Sequence, residues 1–177
     1  MKFNIGCGWR DFGKGWIHID GGNYKHIDSK DIFIKNYDYE SAKLIYSSHF
    51  IEYFDRVEVV PLLKRWKDVL KPNGTLRLAV PNFELYSKLY FEKKISLNDI
   101  LGPLYGKMTM NGKTIYHKTT YDYFSMKNLL EEIGMRNIKK YNWKDTSHAK
   151  FDDHSQAYLP HMNKKNGTLM SLNMECI

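Results

Sequence analysis

Two cysteines and five prolines are all that this chain of 177 residues carries. Cys7 and Cys176 stand near opposite ends, a spacing that makes neither a zinc knuckle nor a redox pair. A disulfide scaffold is therefore excluded, and a reducing, cytoplasmic compartment suits the chain. No run of ~18 apolar residues occurs, so no transmembrane helix is expected. No signal peptide precedes the first strand-like run, and trimming that end is expected to destroy the fold. No phosphate-cradling G-x-x-x-x-G-K-[ST] loop occurs. Internal repeats, low-complexity tracts, zinc-finger spacings and RNA-recognition signatures are missing too. The net charge of +7 is spread without a block of like charges. Such diffuse charge suits a solvated surface first and attraction to an acidic glycan or nucleic acid second.

What is present begins at residue 3. A short apolar run, Phe3 and Ile5, breaks into Gly6-Cys7-Gly8, and the next run, Trp16-Ile17-His18-Ile19, ends on Asp20. In an open α/β sheet this places a glycine turn and a carboxylate at the carboxyl ends of adjacent strands, where such folds bind ligands. Glycine lets a ligand approach the backbone closely, and the carboxylate can accept both hydroxyls of a ribose. A dinucleotide fingerprint needs a third glycine and a helix that receives a pyrophosphate. Only Trp9 to Gly15 separates the turn from the second run, too little for a helix of ~10–12 residues. A nucleoside ligand without phosphates fits, and S-adenosylmethionine is the common one.

These runs resemble a family. Asn4-Ile5-Gly6-Cys7-Gly8, Gly15-Trp16-Ile17-His18-Ile19-Asp20, Ser48-His49-Phe50-Ile51-Glu52-Tyr53 and Leu70-Lys71-Pro72-Asn73-Gly74 are similar, in order and spacing, to motifs of small class I S-adenosylmethionine-dependent methyltransferases of a bacterial and phage group. Tyr53 stands where that group has His, and Asn73 where it has Gly. Asn tolerates a left-handed turn. The resemblance covers nearly the whole chain. It implies one domain with a Rossmann-like α/β fold: a seven-stranded, mostly parallel sheet, an antiparallel last strand and a first helix shortened or absent.

The pattern agrees in outline. Residues 28–34 carry a short third strand or turn, and Ala42–Ser47 reads as the fourth strand. Asp55 and Glu58 have capping-box spacing ahead of a helical stripe of Val59, Leu62, Leu63, Trp66, Val69 and Leu70. Pro61 belongs to its first turn. Residues 71–74 stop it, 75–80 form the fifth strand, and a helix covers about 84–93. From 95 to 124 the periodicity fails, and a loop that long reads as a lid. Ser125 caps a further helix that Gly134 ends. Residues 137–143 and 168–177 are the last two strands, with a polar segment between them.

The resemblance implies that Asn4, Gly6, Cys7, Gly8, Asp20, Asp31, Ile32, Ser48 and His49 bind the donor. Asp31 would accept from the adenine amine, with Asp28 as competitor, and Ile32 would cover the ring. Candidate bases are His49, His117 and the pair Asp153 and His154. His and acid clusters could also gather a metal, but no zinc-helix spacing occurs, and none is expected. The leading function is O-methylation of a small molecule or glycan. RNA ribose methylation and a non-catalytic donor-binding module remain open, as do a partner chain and the oligomeric state. Amino methylation of a base is disfavoured, because the [DN]-P-P-[YF] position reads Ser47-Ser48-His49-Phe50.

Overall fold

The computed structural model describes residues 1–177. The chain opens with β1 (Lys2–Ile5) and β2 (Ile17–Ile19), continues through β3 (Ala42–Ser48), α1 (Val59–Val69) and β4 (Leu70–Pro81), and then α2 (Phe83–Phe91) and α3 (Leu97–Tyr105). The hairpin β5 (Met108–Met110) and β6 (Lys113–Ile115) leads to α4 (Tyr123–Glu132), β7 (Lys139–Lys140), β8 (Tyr158–Leu159), β9 (Thr168–Leu169) and β10 (Ser171–Cys176). The main sheet has the order β2-β1-β3-β4-β10-β7. β1, β2, β3 and β4 are parallel, and β10 lies antiparallel between β4 and β7.

The sheet therefore has six strands, not the seven expected. The missing one survives as a single parallel bridge between Ile19 and Ser29 on the outer edge of β2. The chain cannot extend that bridge, because Asp28 and Asp31 spend their carboxylates on local backbone. Asp28 accepts from the His18 amide at 2.8 Å. Asp31 accepts from the amides of Phe33 at 3.1 Å and Lys35 at 2.8 Å, closing a turn. The first helix is absent, as the short glycine-rich spacing required.

One face of the sheet is apolar. Phe3, Ile5, Ile19, Ile45, Leu76, Leu78, Val80, Leu172 and Met174 pack there against Leu62, Leu63 and Trp66 of α1 and Met126 and Leu130 of α4. The start of α1 is tied by reciprocal bonds: the Asp55 carboxylate accepts from the Glu58 amide and Glu58 from the Asp55 amide, at 2.8 and 3.0 Å. Residues 71–74 do end α1, but as a bulge inside a longer β4, with Asn73 left-handed at φ 61°.

Two boundaries differ from the sequence reading. Residues 95–124 are not an unstructured loop. Ser96 and Asp99 form a capping box that starts α3, and Gly102 and Pro103 inside that helix hide its periodicity. The cap of α4 is Asp122, while Ser125 is the reciprocal member of its box. No helix is long and apolar enough to cross a membrane.

Candidate functional site

The parallel strands end together, so Gly6, Asp20, His49 and Asn82 follow β1, β2, β3 and β4 at one edge of the sheet. β10 begins at the same edge with Ser171. Gly6 is held at φ 72°, and a β-carbon on it would lie 2.3 Å from the Phe50 ring. The approach of Phe50 thus demands glycine as firmly as the dihedral does. Gly8 is also left-handed, at φ 56°, but a β-carbon there would meet nothing within 4 Å. It faces open space at the strand ends.

Asp20 ties this loop to its own. Its Oδ2 accepts from the Gly8 amide at 2.8 Å and its Oδ1 from the Gly22 amide at 2.6 Å. Each carboxylate oxygen keeps a lone-pair site for a further donor. Beneath the loop, Asn4 is buried and its Nδ2 has no hydrogen-bond partner. Cys7 is buried, and burial pushes its thiol up to about 12. It is a neutral small residue in a tight turn and not a nucleophile.

The loop also carries two residues that sequence reading passed over. Trp9 is 65% exposed at its tip, and the Arg10 guanidinium lies 4.8 Å from the Trp9 ring centroid. Arg10 Nε donates to the carbonyl of Asp152 at 3.0 Å, and its Nη2 is 3.5 Å from His154 Nε2. Arg10 is visible beside the glycines, but its partners are more than 140 residues away, and nothing local announces them.

The four candidate bases part company in space. Asp153 is buried and spent: it accepts from the Tyr46 hydroxyl at 2.6 Å and the Ser155 amide at 2.7 Å, with Ser48 Oγ at 3.5 Å. It is a strut between the sheet and the segment after β7, which corrects its candidacy as a base. Ser48 is engaged by that strut. His154, its neighbour in sequence, points outward instead and is exposed. Its ring centroid is 5.1 Å from that of His49.

His49 is left-handed, at φ 50°, an uncommon conformation for a non-glycine residue. Its Nε2 lies 3.2 Å from Ser171 Oγ and its Nδ1 3.8 Å from Glu52 Oε1. Burial, followed by the nearby His154 and His117, lowers its pKa well below the usual value. Its Nε2 is engaged with Ser171, and its Nδ1 is turned toward the buried Glu52. His117 is no solvated loop residue. Its side chain is 7% exposed, with Nε2 3.8 Å from Glu52 Oε1, and its Nδ1 is 2.9 Å from the Pro103 carbonyl.

Both Asp31 oxygens close the turn described above, each accepting one amide and, like those of Asp20, keeping a second lone-pair site. Ile32 packs partly against the core, and its carbonyl accepts from Trp66 Nε1 at 2.7 Å. No group of three or more His, Cys, Asp or Glu side chains is arranged to hold a metal ion. A cleft of about 770 Å³ lies at the other end of the sheet, lined by Lys71, Asn73, Arg136 and Ile177 among others. It is remote from these residues.

No protein-family model matches the chain, and no curated protein is similar to it in sequence. Solved structures are similar in fold. An S-adenosylmethionine-dependent methyltransferase from Archaeoglobus fulgidus matches with a TM-score of 0.57 at 15% identity, over 99% of this chain and 84% of that one. One from Thermotoga maritima matches with a TM-score of 0.56 at 12% identity, over 99% of this chain and 80% of that one. The Burkholderia thailandensis 1,6-didemethyltoxoflavin N1-methyltransferase, solved with S-adenosylhomocysteine, matches with a TM-score of 0.55 at 8% identity, over 99% and 69%. The chain thus has the methyltransferase-like α/β fold with a mostly parallel central sheet.

Proposed function

We propose that this protein transfers a methyl group from S-adenosylmethionine to a hydroxyl of a small molecule or glycan. The observation that carries the reading is the pairing of Asp20 with the Gly8 amide at 2.8 Å, at the carboxyl ends of β1 and β2. That pairing presents a left-handed glycine facing open space beside a carboxylate with lone pairs to spare. Similar folds belong to S-adenosylmethionine-dependent methyltransferases. The donor supplies an electrophilic methyl on sulfur.

The chain's residues divide the remaining work. Gly6 and Gly8 admit the donor against the backbone, and Asp20 accepts from its ribose hydroxyls. The turn at Asp31 and Ile32 meets the nucleobase through Ile32 and backbone, and the Asp31 carboxylate holds that turn closed. His154 is the acceptor base: it alone of the four candidates is exposed at the site, and only Arg10 stands near its Nε2. A positioned base adds typically ~10²–10⁴-fold. Trp9 offers a ring for an acceptor, and residues 95–124 act as the lid.

Calorimetric titration of S-adenosylhomocysteine tests the donor site. Wild type is expected to bind, and Asp20→Asn, checked for an unchanged melting profile, to bind at least tenfold more weakly. A folded wild type that does not bind sinks the reading. For the acceptor, tritium transfer from the donor to glycan extracts is expected to exceed transfer to total RNA. The reverse result replaces the glycan with RNA, and binding without transfer to either pool leaves a donor-binding module.

A further inference from the structure

Glu52 is 1% exposed, and neither of its carboxyl oxygens has a hydrogen-bond partner. The basic side chains within 4 Å of it are two histidines, His49 from the end of β3 and His117 from the segment after β6. Tyr121, whose pKa is raised above all by burial, has a buried and unpartnered hydroxyl, and Tyr53 is raised to about 12, again chiefly by burial. No lysine or arginine pairs with Glu52.

The tautomers of the two histidines follow from their other bonds. Pro103 offers His117 Nδ1 only a carbonyl, at 2.9 Å, so that nitrogen carries the proton. In the neutral ring the lone pair is then on Nε2, which faces Glu52 Oε1 at 3.8 Å. Ser171 donates its one hydroxyl proton to Asn173 Oδ1 at 2.9 Å, so its Oγ accepts from His49 Nε2 at 3.2 Å. That leaves the His49 lone pair on Nδ1, again 3.8 Å from Glu52 Oε1. Two lone pairs therefore converge on one carboxyl oxygen. An anion there would face two lone pairs in a buried site, with no donor within hydrogen-bond distance.

We infer that Glu52 is a neutral carboxylic acid held between the neutral rings of His49 and His117, where the lid segment meets the end of β3. A buried carboxyl kept neutral can donate where a carboxylate can only accept. Burial pushes Glu52 up to about 8 and lowers both histidines, which agrees with one proton among three groups. That junction has a second point of closure beside it. The backbone carbonyl of Glu52 accepts from the amides of Lys118 and Thr119 at 2.8 and 3.2 Å, and Tyr53 donates to the Gly106 carbonyl at 3.0 Å. The His117 ring lies so close to Gly106 that a β-carbon there would be 2.0 Å from its Nε2. Glu52 is thus a positioning residue for the lid and for His49, whatever donor or acceptor the site takes.

The test needs no ligand, so its failure is separate from failure of the methyltransferase reading. Gln is an isosteric neutral donor and replaces the protonated acid. Thermal unfolding of wild type and Glu52→Gln is followed from pH 5 to pH 9. The two are expected to melt alike near pH 5, with Glu52→Gln pulling ahead as pH rises and the gap levelling above about 8. Hydrogen exchange of residues 95–119, corrected for intrinsic rates, is expected to speed up in wild type across the same range and stay slow in Glu52→Gln. A variant less stable than wild type at every pH, with the segment open, overturns the inference in favour of an anionic Glu52 paired to an imidazolium. Should Glu52→Gln fail to fold, the Glu52 carboxyl carbon of wild type decides by NMR. A carboxyl still protonated at pH 7 sustains the inference, and one already ionised at pH 6 overturns it.

Discussion

The two faces of the sheet solve the same problem by opposite chemistry. On one face, the directly paired row Ile17-Phe3-Ile45-Leu76-Cys176 is apolar and meets two helices. On the other, the row that crosses all six strands reads His18-Asn4-Tyr46-Arg77-Glu175-Lys139. No helix covers that row. Phe12 and Trp16 from the glycine loop and His148 and Phe151 from the segment after β7 do so instead, through stacked and edge-on rings 4.6 to 5.8 Å apart. Without a first helix, the chain closes this face by satisfying polar groups one at a time. Arg77 donates to Glu175 Oε2 through Nε at 3.0 Å and Nη2 at 2.7 Å, while its Nη1 is 3.2 Å from His148 Nε2. The apolar face resists by volume. The polar face resists by matching, and matching is sensitive to pH.

The largest effect belongs to the apolar face. Trp66 is fully buried between α1 and the sheet. Trp66→Ala is expected to cost ~3–5 kcal/mol by chemical denaturation, and the cost should be the same at pH 5 and pH 8. A pH-dependent cost would break the division between the faces.

On the polar face the sign comes from His148. Burial first, and Arg77 and Lys2 after it, lower its pKa to about 3. The unfolded chain takes up a proton near the usual 6.5 that the folded chain refuses. Stability from this group is therefore full above 6.5 and falls as pH drops toward 3, by at most ~1.4 kcal/mol per pH unit. His148→Phe keeps the stack with Phe12 and Tyr46 and should flatten that acid slope. A variant that loses stability just as steeply between pH 6.5 and 5 would place the sensitivity elsewhere. Glu52 has the opposite sense: raised from 4.5 to about 8, it costs stability progressively as pH climbs through that interval. Maximum stability is thus expected on the acid side of neutrality.

Smaller, and closer to the site, is the turn at Asp31. Its two amide acceptances hold Phe33 and Lys35. Asp31→Ala is expected to cost ~1 kcal/mol, the usual worth of such a side-chain cap, and to weaken S-adenosylhomocysteine binding through disorder of the turn. Asp31→Asn, which keeps one acceptor, should recover part of the affinity. Equal loss in both variants would mean that the carboxylate touches the ligand after all.

How far the sequence announced this arrangement depends on the distance over which each signal acts. The glycine loop, Asp20, the missing first helix and the stripe of α1 are encoded within a few residues, and the structure contains them. The apolar Ile27, Ile32, Phe33 and Ile34 read as a short third strand or a turn, and the turn is what forms, because local capping by Asp28 and Asp31 outcompetes strand pairing there. α3 escaped because Gly102 and Pro103 break its periodicity, although the Ser96 and Asp99 box was in plain sight. The grouping of His49, Glu52 and His117 needs the segment after β6, 65 residues beyond Glu52, folded back onto the end of β3. Asp153 and His154 were adjacent in sequence and therefore suggested one cluster, whereas Asp153 is buried against Tyr46 and His154 is exposed.

Asp153 gives the finest test of the comparison. Tyr46 lies in the polar row of β3, and its hydroxyl donates to Asp153 Oδ2 at 2.6 Å. Through that bond the row holds the segment that carries His154, the base proposed above. Tyr46→Phe leaves a buried carboxylate short of a donor and is expected to cost ~1–3 kcal/mol. Asp153→Asn should cost a similar amount. If the faces differ as argued, the two losses are not additive, and a double-mutant cycle returns a coupling of ~1 kcal/mol or more, within the range for groups in direct contact. The same cycle across the apolar row, Ile45→Val with Leu76→Ala, should return a smaller value, because dispersion contacts are shared among many neighbours. Equal couplings would mean that the polar row is held by its ring stacks alone. The hydrogen bond to Asp153 would then be an accompaniment of the fold and not what places His154.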